Sequence, residues 1–292
     1  HINQANYHLP PGGPDLLGGY FPFGWSGVFG GAAFIFFAYI GFDAVSTTAE
    51  EAKNPAKDLP FGILMSLSVC TILYIIVVAI LNGMVPFFKL NVTYPVAFAV
   101  NYVGLGWAGT IISLGAIAGL TTVLLVMMFG QSRIFYAMSR DGLIPPSFTR
   151  IHPTWRTPIF STVFFGVCIA IVAALTPIDI LGSVTNMGTL AAFILVSIAV
   201  PILRHRHPEM QGKFTVPFGP YIIPILAAVS ALFLIYYLKF NNPLVWGFFP
   251  LVWLVFLAWL VIGLVFYFAY GRRMSTIAVD LEKIALTQPP VN

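Results

Sequence analysis

Asp43 is the residue of this sequence best suited to chemistry, because it is a carboxylate placed at the end of a long apolar stretch. Residues 25–42 are apolar enough to enter a lipid bilayer, whereas the first cluster of charged side chains follows only at residues 50–53. An acid inside a membrane is energetically costly, and it typically marks the path of a substrate, an ion or a proton. Asp43 is therefore the first candidate for ligand binding or proton transfer.

A glycine just before this acid can interrupt the helix. Gly41 follows Ala38, Tyr39 and Ile40, and glycine allows the backbone to leave helical geometry. We predict a broken helix whose first half ends near Tyr39 and whose second half is capped by Asp43. Carbonyls freed at the end of the first half can bind an ammonium group, and amides that open the second half can bind a carboxylate. The alternative is a continuous helix in which a neighbouring hydroxyl group holds Asp43.

Two segments carry a family resemblance. FFAYIGFDAVSTTAEEAKNPAKDLP, at residues 36–60, resembles the sixth transmembrane helix of the cationic amino acid transporter family, which lies within the amino acid-polyamine-organocation (APC) superfamily. QSRIFYAMSRDGLIP, at residues 131–145, resembles the cytoplasmic segment after helix eight of that family. The resemblance implies helices six to twelve of a twelve-helix protein with a LeuT-type inverted-repeat fold. The chain would then hold the second five-helix repeat, whose first helix is broken, and two C-terminal helices.

The resemblance also implies the substrate site. Backbone carbonyls at Phe37, Ala38 and Ile40 are expected to bind the ammonium group of the substrate, and the ring of Phe37 is expected to form a gate. Asp43 is the candidate for proton coupling or for contact with a polar substrate side chain. The residues implied as substrate-binding are Phe37, Ala38, Ile40, Gly41, Asp43, Thr122 and Met127.

Two of these residues have a simpler interpretation. Thr122 and Met127 lie on the eighth helix, which borders the substrate pocket in the family. Thr122 belongs to a stripe of small residues with Gly115 and Gly119 at helical spacing, and such stripes often serve helix packing. Methionine is adaptable filler that could shape a subsite or simply pack in an apolar helix. The residues alone leave both interpretations open.

Composition and hydropathy predict an all-α integral membrane protein. The chain is 59% hydrophobic and 8% charged, against roughly 25% charged residues in soluble domains. Besides the broken helix at 25–54, we predict membrane helices at about 61–83, 104–129, 158–175, 180–203, 221–238 and 248–270. The expected domains are an extracellular loop at 1–24, the second inverted repeat at 25–203, a cytoplasmic loop at 204–220, two additional helices within 221–270 and a cytoplasmic tail at 271–292.

The charge distribution predicts the orientation in the membrane. Of the 14 Lys and Arg residues, all but Lys89 and Lys239 fall on one side of these spans, and the positive-inside rule makes that side cytoplasmic. We expect the plasma membrane as the location. Residues 1–24 lack a signal-peptide pattern and an initiator methionine, so we expect the numbering to begin inside a longer polypeptide. The first repeat, with its carboxylate-binding amides, would come from an N-terminal half in the same polypeptide or in a separate chain.

The predicted function is secondary active transport of L-amino acids by alternating access, with proton-coupled symport as the main hypothesis. The expected partners are the amino acid, protons and membrane lipids, without a cofactor or a metal. An amino acid exchanger would share these features, and a receptor or a non-transporting membrane subunit is a more distant alternative. An enzyme is disfavoured because the sequence offers no intramembrane histidine and no paired carboxylates. The basic residues lie in short loops, which argues against nucleic acid.

Overall fold

The computed structural model describes residues 2, 24–206, 219–238, 244–245 and 249–275. These residues are helical except for turns, links and one short antiparallel pairing of β1 (Leu244–Val245) with β2 (Phe249–Pro250). The α-helices are α1 (Gly24–Ile35), α2 (Pro55–Met84), α3 (Pro95–Tyr102), α4 (Gly106–Arg140), α5 (Ile159–Leu175), α6 (Ile178–Arg206), α7 (Gly219–Tyr237), α8 (Leu251–Phe266) and α9 (Arg272–Met274).

Several predicted regions lie outside the described residues. They are the loop at 1–24 apart from Ile2 and Gly24, most of the loop at 204–220, and the tail beyond residue 275. Within the described part, four 3-10 segments and one π-helical turn complete the secondary structure. These segments are Phe36–Tyr39, Asp43–Glu51, Phe87–Lys89, Pro146–Thr149 and the π-helical Tyr267–Gly271.

Each of the seven predicted membrane spans corresponds to a helical segment. Five segments are long and apolar enough to cross a bilayer, beginning at residues 24, 55, 106, 178 and 251. The other two are shorter apolar helices, α5 with 17 residues and α7 with 19, and about 17 residues is the lower limit for a span. The chain is therefore a multi-pass integral membrane protein.

The start of α2 corrects the sequence-based boundary. We expected this helix to begin at about residue 61, but α2 begins at Pro55 and keeps Pro60 in its interior. Proline suits the first position of a helix, because the amide it lacks would have no intrahelical partner there. Asp58 lies in the first turn, and its Oδ2 accepts a hydrogen bond from the Asn54 amide at 3.2 Å. This side chain bonds the N-cap amide from the fourth helical residue, one position beyond that of a capping box, and Asp58 is not itself the N-cap.

The end of α4 also lies beyond its predicted position. The expected helix at 104–129 continues to Arg140, so that the segment expected as a loop at 131–157 is helical in its first part. At about 1.5 Å per residue the helix is about 52 Å long, which exceeds a hydrocarbon core of about 30 Å. Falling hydropathy marks the edge of the bilayer and not the end of the helix. The helix ends before Gly142, whose φ is +77°.

The chain divides into two compact units, residues 1–125 with 192–241 and residues 126–191 with 242–292. In the first unit α1 packs against α7, where the Phe29 ring lies 4.9 Å from Phe233 and 5.3 Å from Tyr237. In the second unit Phe135 stacks on Phe165 at 3.8 Å between centroids. Many large apolar side chains outside these contacts are exposed, as expected for helices that face lipid or further helices.

The polar residues in the first half of α6 divide between two environments. Ser183 and Asn186 are fully buried, whereas Thr185 is exposed and donates to the Leu181 carbonyl of its own helix at 2.8 Å. Ser183, Asn186 and Leu190 share one face by helical spacing, and all three are buried. We therefore interpret this face of α6 as a packing surface.

Candidate substrate site

The first membrane segment is broken where the sequence predicted. The α-helical part ends at Ile35, a 3-10 turn covers Phe36–Tyr39, and the backbone is extended at Ile40, with φ −60° and ψ 128°. Gly41 has a φ of +126°, a conformation that side-chain-bearing residues rarely adopt. A second 3-10 segment then begins at Asp43. The alternative of a continuous helix is wrong.

Asp43 stabilises the link itself. Its Oδ1 accepts a hydrogen bond from the Gly41 amide at 3.0 Å. We expected this side chain to cap the second half of the segment by accepting from amides that follow it, but the observed bond comes from a residue before it. The Ala44 amide in turn donates to the Gly41 carbonyl at 3.1 Å. The half-buried carboxylate thus holds the sharpest turn of the break.

The freed carbonyl of Ala38 has a side-chain partner that sequence reasoning missed. The hydroxyl of Tyr74, on α2, donates to Ala38 O at 2.8 Å. The Tyr74 ring also meets Tyr39 edge to face, with 5.4 Å between centroids. Tyr74 therefore fixes the end of the first half of the broken segment from a neighbouring helix. The available signal was a single phenol in the apolar part of this helix, because a tyrosine hydroxyl in apolar surroundings usually finds a hydrogen-bond partner.

A second helix braces the break from another direction. Phe193, on α6, lies 6.1 Å from Phe36 and 5.7 Å from Phe42 between ring centroids. These two partners precede and follow the extended link, so one ring contacts both sides of it. Offset and edge-to-face aromatic pairs are each worth about 0.5–1.5 kcal/mol beyond their buried area. The break is thus a packed feature of the first unit.

The remaining predicted site residues are placed as follows. Phe37 is 51% exposed, so its ring is accessible, and its carbonyl accepts from the Ile40 amide at 3.2 Å. The hydroxyl of Thr122 donates to Gly119 O of its own helix at 2.8 Å. Met127 belongs to the second unit. Phe37, Ala38, Ile40, Gly41 and Asp43 lie together at the break in the first unit. The roles of Thr122 and Met127 in the substrate site stay predictions.

The stripe of small residues on α4 does not serve close packing among the described residues. A Cβ built at Gly115 or Gly119 meets no heavy atom within 4 Å. No described residue packs closely against these two glycines, and helix packing stays a prediction for this stripe.

The arrangement at the break can bind a cation by its backbone. A carbonyl oxygen has two lone pairs, so Ala38 O can accept a second hydrogen bond besides that from Tyr74. The phenol oxygen of Tyr74 also keeps acceptor capacity. Helix C-terminal carbonyls carry partial negative charge, and the carboxylate of Asp43 lies in the same link. Within the described residues, no three His, Cys, Asp or Glu side chains form a group that could hold a metal.

Comparisons with known proteins match this chain to membrane permeases and transporters. A family model described as amino acid permease matches residues 4–273. The branched-chain amino acid permease BcaP of Bacillus subtilis is 49% identical over 257 residues, which cover 88% of this chain and 53% of the permease. The methylthioribose transporter of the same organism is 45% identical over 262 residues, which cover 90% of this chain and 54% of the transporter.

A plant relative extends the comparison. The vacuolar cationic amino acid transporter 4 of Arabidopsis thaliana is 44% identical over 197 residues, which cover 68% of this chain and 33% of that protein. The chain thus spans about half the length of the two bacterial relatives and a third of the plant protein. These relatives are permeases and transporters, and none is an enzyme. The chain belongs to the amino acid permease family, as a member of the cationic amino acid transporter type within the APC superfamily.

Proposed function

We propose that this chain forms part of a secondary transporter that moves L-amino acids across the plasma membrane by alternating access. The observation that carries this proposal is the break at Gly41, which presents carbonyls and one carboxylate within a membrane segment. Half-helix ends of this kind suit a zwitterion, because the C-terminal end of the first half attracts an ammonium group. The names of the branched-chain and cationic amino acid relatives support an amino acid as the substrate class, whereas the methylthioribose transporter names another solute.

The proposed substrate site extends beyond this chain. The ammonium group would bind at Ala38 and Ile40, with Phe37 as the gate, while the carboxylate would bind to amides that these residues do not provide. In the LeuT-type arrangement two broken helices, one from each inverted repeat, face each other across the site. The chain would supply the broken helix of the second repeat, and an N-terminal half, in the same or another polypeptide, would supply the first.

Asp43 is the proposed proton-coupling residue. It is a carboxylate in the apolar part of a membrane segment, and such groups commonly serve proton relays in transporters. Its hydrogen bond with the Gly41 amide requires an acceptor oxygen. Protonation of Asp43 would weaken that bond and loosen the link, because an ionised acceptor forms the stronger hydrogen bond. Proton uptake would thus change the geometry at the carbonyls that hold the substrate.

The test is uptake into proteoliposomes by the intact protein, with and without an inward proton gradient. The panel contains branched-chain and cationic amino acids and methylthioribose, because relatives named for each are similar to this chain. The variants are Asp43→Asn and, as a matched control, Asp58→Asn, which makes the same change at an exposed position near the membrane edge. Gradient-stimulated uptake that Asp43→Asn abolishes and Asp58→Asn retains is the expected result.

Other results would redirect the assignment. Uptake that requires internal amino acid, is independent of the proton gradient and is retained in Asp43→Asn would identify an exchanger. Asp43 would then have a structural role only. Gradient-stimulated uptake of methylthioribose alone would overturn the amino acid assignment, and absence of uptake for the whole panel would contradict transport of these solutes.

A further inference from the structure

The turn after α4 packs directly onto the end of the last described helical segment. A Cβ built at Gly142 would collide with the carbonyl oxygen of Met274. A Cβ built at Gly271 would lie 3.3 Å from a backbone carbonyl of the same turn. Two glycines thus allow two backbones to approach closely. We call this contact, between residues 140–143 and residues 271–275 of the second unit, the loop-to-helix junction.

Both sides of the loop-to-helix junction are held by their own hydrogen bonds. On the α4 side the Ser139 hydroxyl donates to Pro145 O at 2.7 Å, and the Gly142 amide donates to Ser139 O at 3.1 Å. On the other side the Ser275 amide donates to Gly271 O at 2.9 Å. Ser139 and Ser275 are both buried. The junction is therefore a fixed element and not a chance approach of two loops.

Positive charge is concentrated at the loop-to-helix junction. Arg272 and Arg273 are exposed, and the side chain of Arg140 is 54% exposed. The one acid within the two ranges is Asp141, whose Oδ1 lies 3.6 Å from Arg140 Nε. Three arginines against one carboxylate leave a net positive charge. The ion pair engages Arg140, so Arg272 and Arg273 carry the surplus charge.

The loop-to-helix junction lies at the depth of lipid head groups. Arg272 and Arg273 lie among the last residues of the candidate span Leu251–Met274, shortly after Tyr267, Phe268 and Tyr270. Aromatic residues, tyrosine in particular, concentrate at the membrane surface. The contact with the turn at residues 140–143 brings a second arginine-bearing segment to the same level. A cluster of exposed arginines at a helix end next to lipid is the kind of surface that binds an anionic head group.

We propose that the loop-to-helix junction binds the phosphate group of an anionic phospholipid. Arginine is the suitable residue, because its planar guanidinium group forms paired hydrogen bonds with phosphate oxygens. Arg272 and Arg273 bind the phosphate, and Arg140, oriented by Asp141, completes the positive wall. The acyl chains of the same lipid would cover the apolar surface just above the arginines, where Phe268 is 58% exposed. A free phosphate ion would satisfy the arginines but not that surface.

The test measures thermal unfolding of the intact protein in detergent. Phosphatidylglycerol, phosphatidylcholine or inorganic phosphate is titrated against the native protein and three variants. Arg272→Gln with Arg273→Gln removes the surplus charge. Gly142→Ala keeps every charge but disturbs the packing. Arg150→Gln with Arg156→Gln removes two exposed arginines elsewhere in the second unit, and it is the matched control.

We expect phosphatidylglycerol alone to raise the unfolding temperature of the native protein and of the control. At about fivefold for each arginine, the double junction variant should lose about 25-fold in apparent affinity for phosphatidylglycerol. Gly142→Ala should also lose affinity while keeping the full net charge. Gel filtration without added lipid establishes that each variant is folded before the titration.

Three results would overturn the proposal. Equal stabilisation by inorganic phosphate would identify a site for a free anion and not for a lipid. Equal loss in the Arg150 and Arg156 control would identify a diffuse attraction between basic loops and anionic lipid. Full retention of affinity in the Arg272 and Arg273 variant, or in Gly142→Ala, would show that the loop-to-helix junction does not form the site. None of these readouts requires transport activity, so they are independent of the proposed function.

Discussion

Replacing Tyr74 with phenylalanine separates the role of its hydroxyl from that of its ring. Tyr74→Phe removes the donor that bonds to Ala38 O at 2.8 Å. The edge-to-face contact with Tyr39 at 5.4 Å depends on the ring and is retained. The variant thus deletes one hydrogen bond at the end of the first half of the broken segment.

The size of the effect follows from the hydrogen bond. Hydrogen bonds between membrane helices contribute about 0.6 kcal/mol on average and up to about 1.7 kcal/mol, which correspond to about 3-fold and 18-fold in an equilibrium constant. Tyr74 is 39% exposed, so we expect the lower part of this range. Because Ala38 O has a second lone pair, Tyr74 should position the carbonyl and not compete with the ammonium group. Its loss should therefore raise the KM for an amino acid about threefold.

The assay is the initial rate of uptake into proteoliposomes over a range of amino acid concentrations. Tyr94→Phe is the matched control, because Tyr94 is 63% exposed in the connection before α3 and loses the same hydroxyl. Ligand-induced thermal stabilisation supplies an affinity that does not depend on turnover. A KM for Tyr74→Phe that equals that of Tyr94→Phe would refute the positioning role. A lower KM would show that the phenol competes with the substrate.

Two further substitutions test the framework of the break. Gly41→Ala should destabilise the protein by about 1–3 kcal/mol, because alanine is strained at a φ of +126°. The control is Gly31→Ala in α1, where the added Cβ meets no atom within 4 Å and should be neutral or stabilising. Thermal unfolding of both variants measures the difference in stability, and equal stability would contradict the prediction. Phe193→Ala should lower the unfolding temperature and the uptake rate together, because one ring braces Phe36 and Phe42. Uptake unchanged by Phe193→Ala would show that the bracing is dispensable for transport.

The position of the break could be predicted from the sequence because its causes are local. Gly41 permits the backbone conformation, and the carboxylate of Asp43 lies within reach of the amide two residues before it. The contact of Tyr74 with Ala38 could not be predicted, because 36 residues separate them. The apolar composition of α2 also does not indicate which face of the helix meets a partner. Which face of a membrane helix meets a partner is weakly encoded when lipid is as apolar as the side chains.

The exact ends of the helices could not be predicted from the sequence either. Hydropathy located the spans, but α4 continues to Arg140 beyond the predicted end at residue 129, because charged residues can continue a helix in water. The first turn of α2 precedes the predicted start at about residue 61, because Pro55, which follows the broken segment, also begins the next helix. Both errors come from a local signal that has two possible meanings. Charged residues can mark the edge of the bilayer or continue a helix in water, and a proline can follow one helical segment or begin the next.

Two of the hydrogen bonds that hold the break differ in when they can form during biogenesis. The bond from the Gly41 amide to Asp43 joins residues two apart, so it can form inside the translocation channel as soon as the segment emerges. The bond from Tyr74 to Ala38 requires α2 to be inserted beside it. A charged residue costs about 2.5–3.5 kcal/mol at the centre of an inserting helix on translocon scales, and Asp43 lies nearer the end of its apolar stretch, where this cost is lower. By accepting a hydrogen bond from an amide of its own link, Asp43 enters the membrane with part of its hydrogen-bonding capacity already satisfied. The broken segment can therefore be inserted before α2.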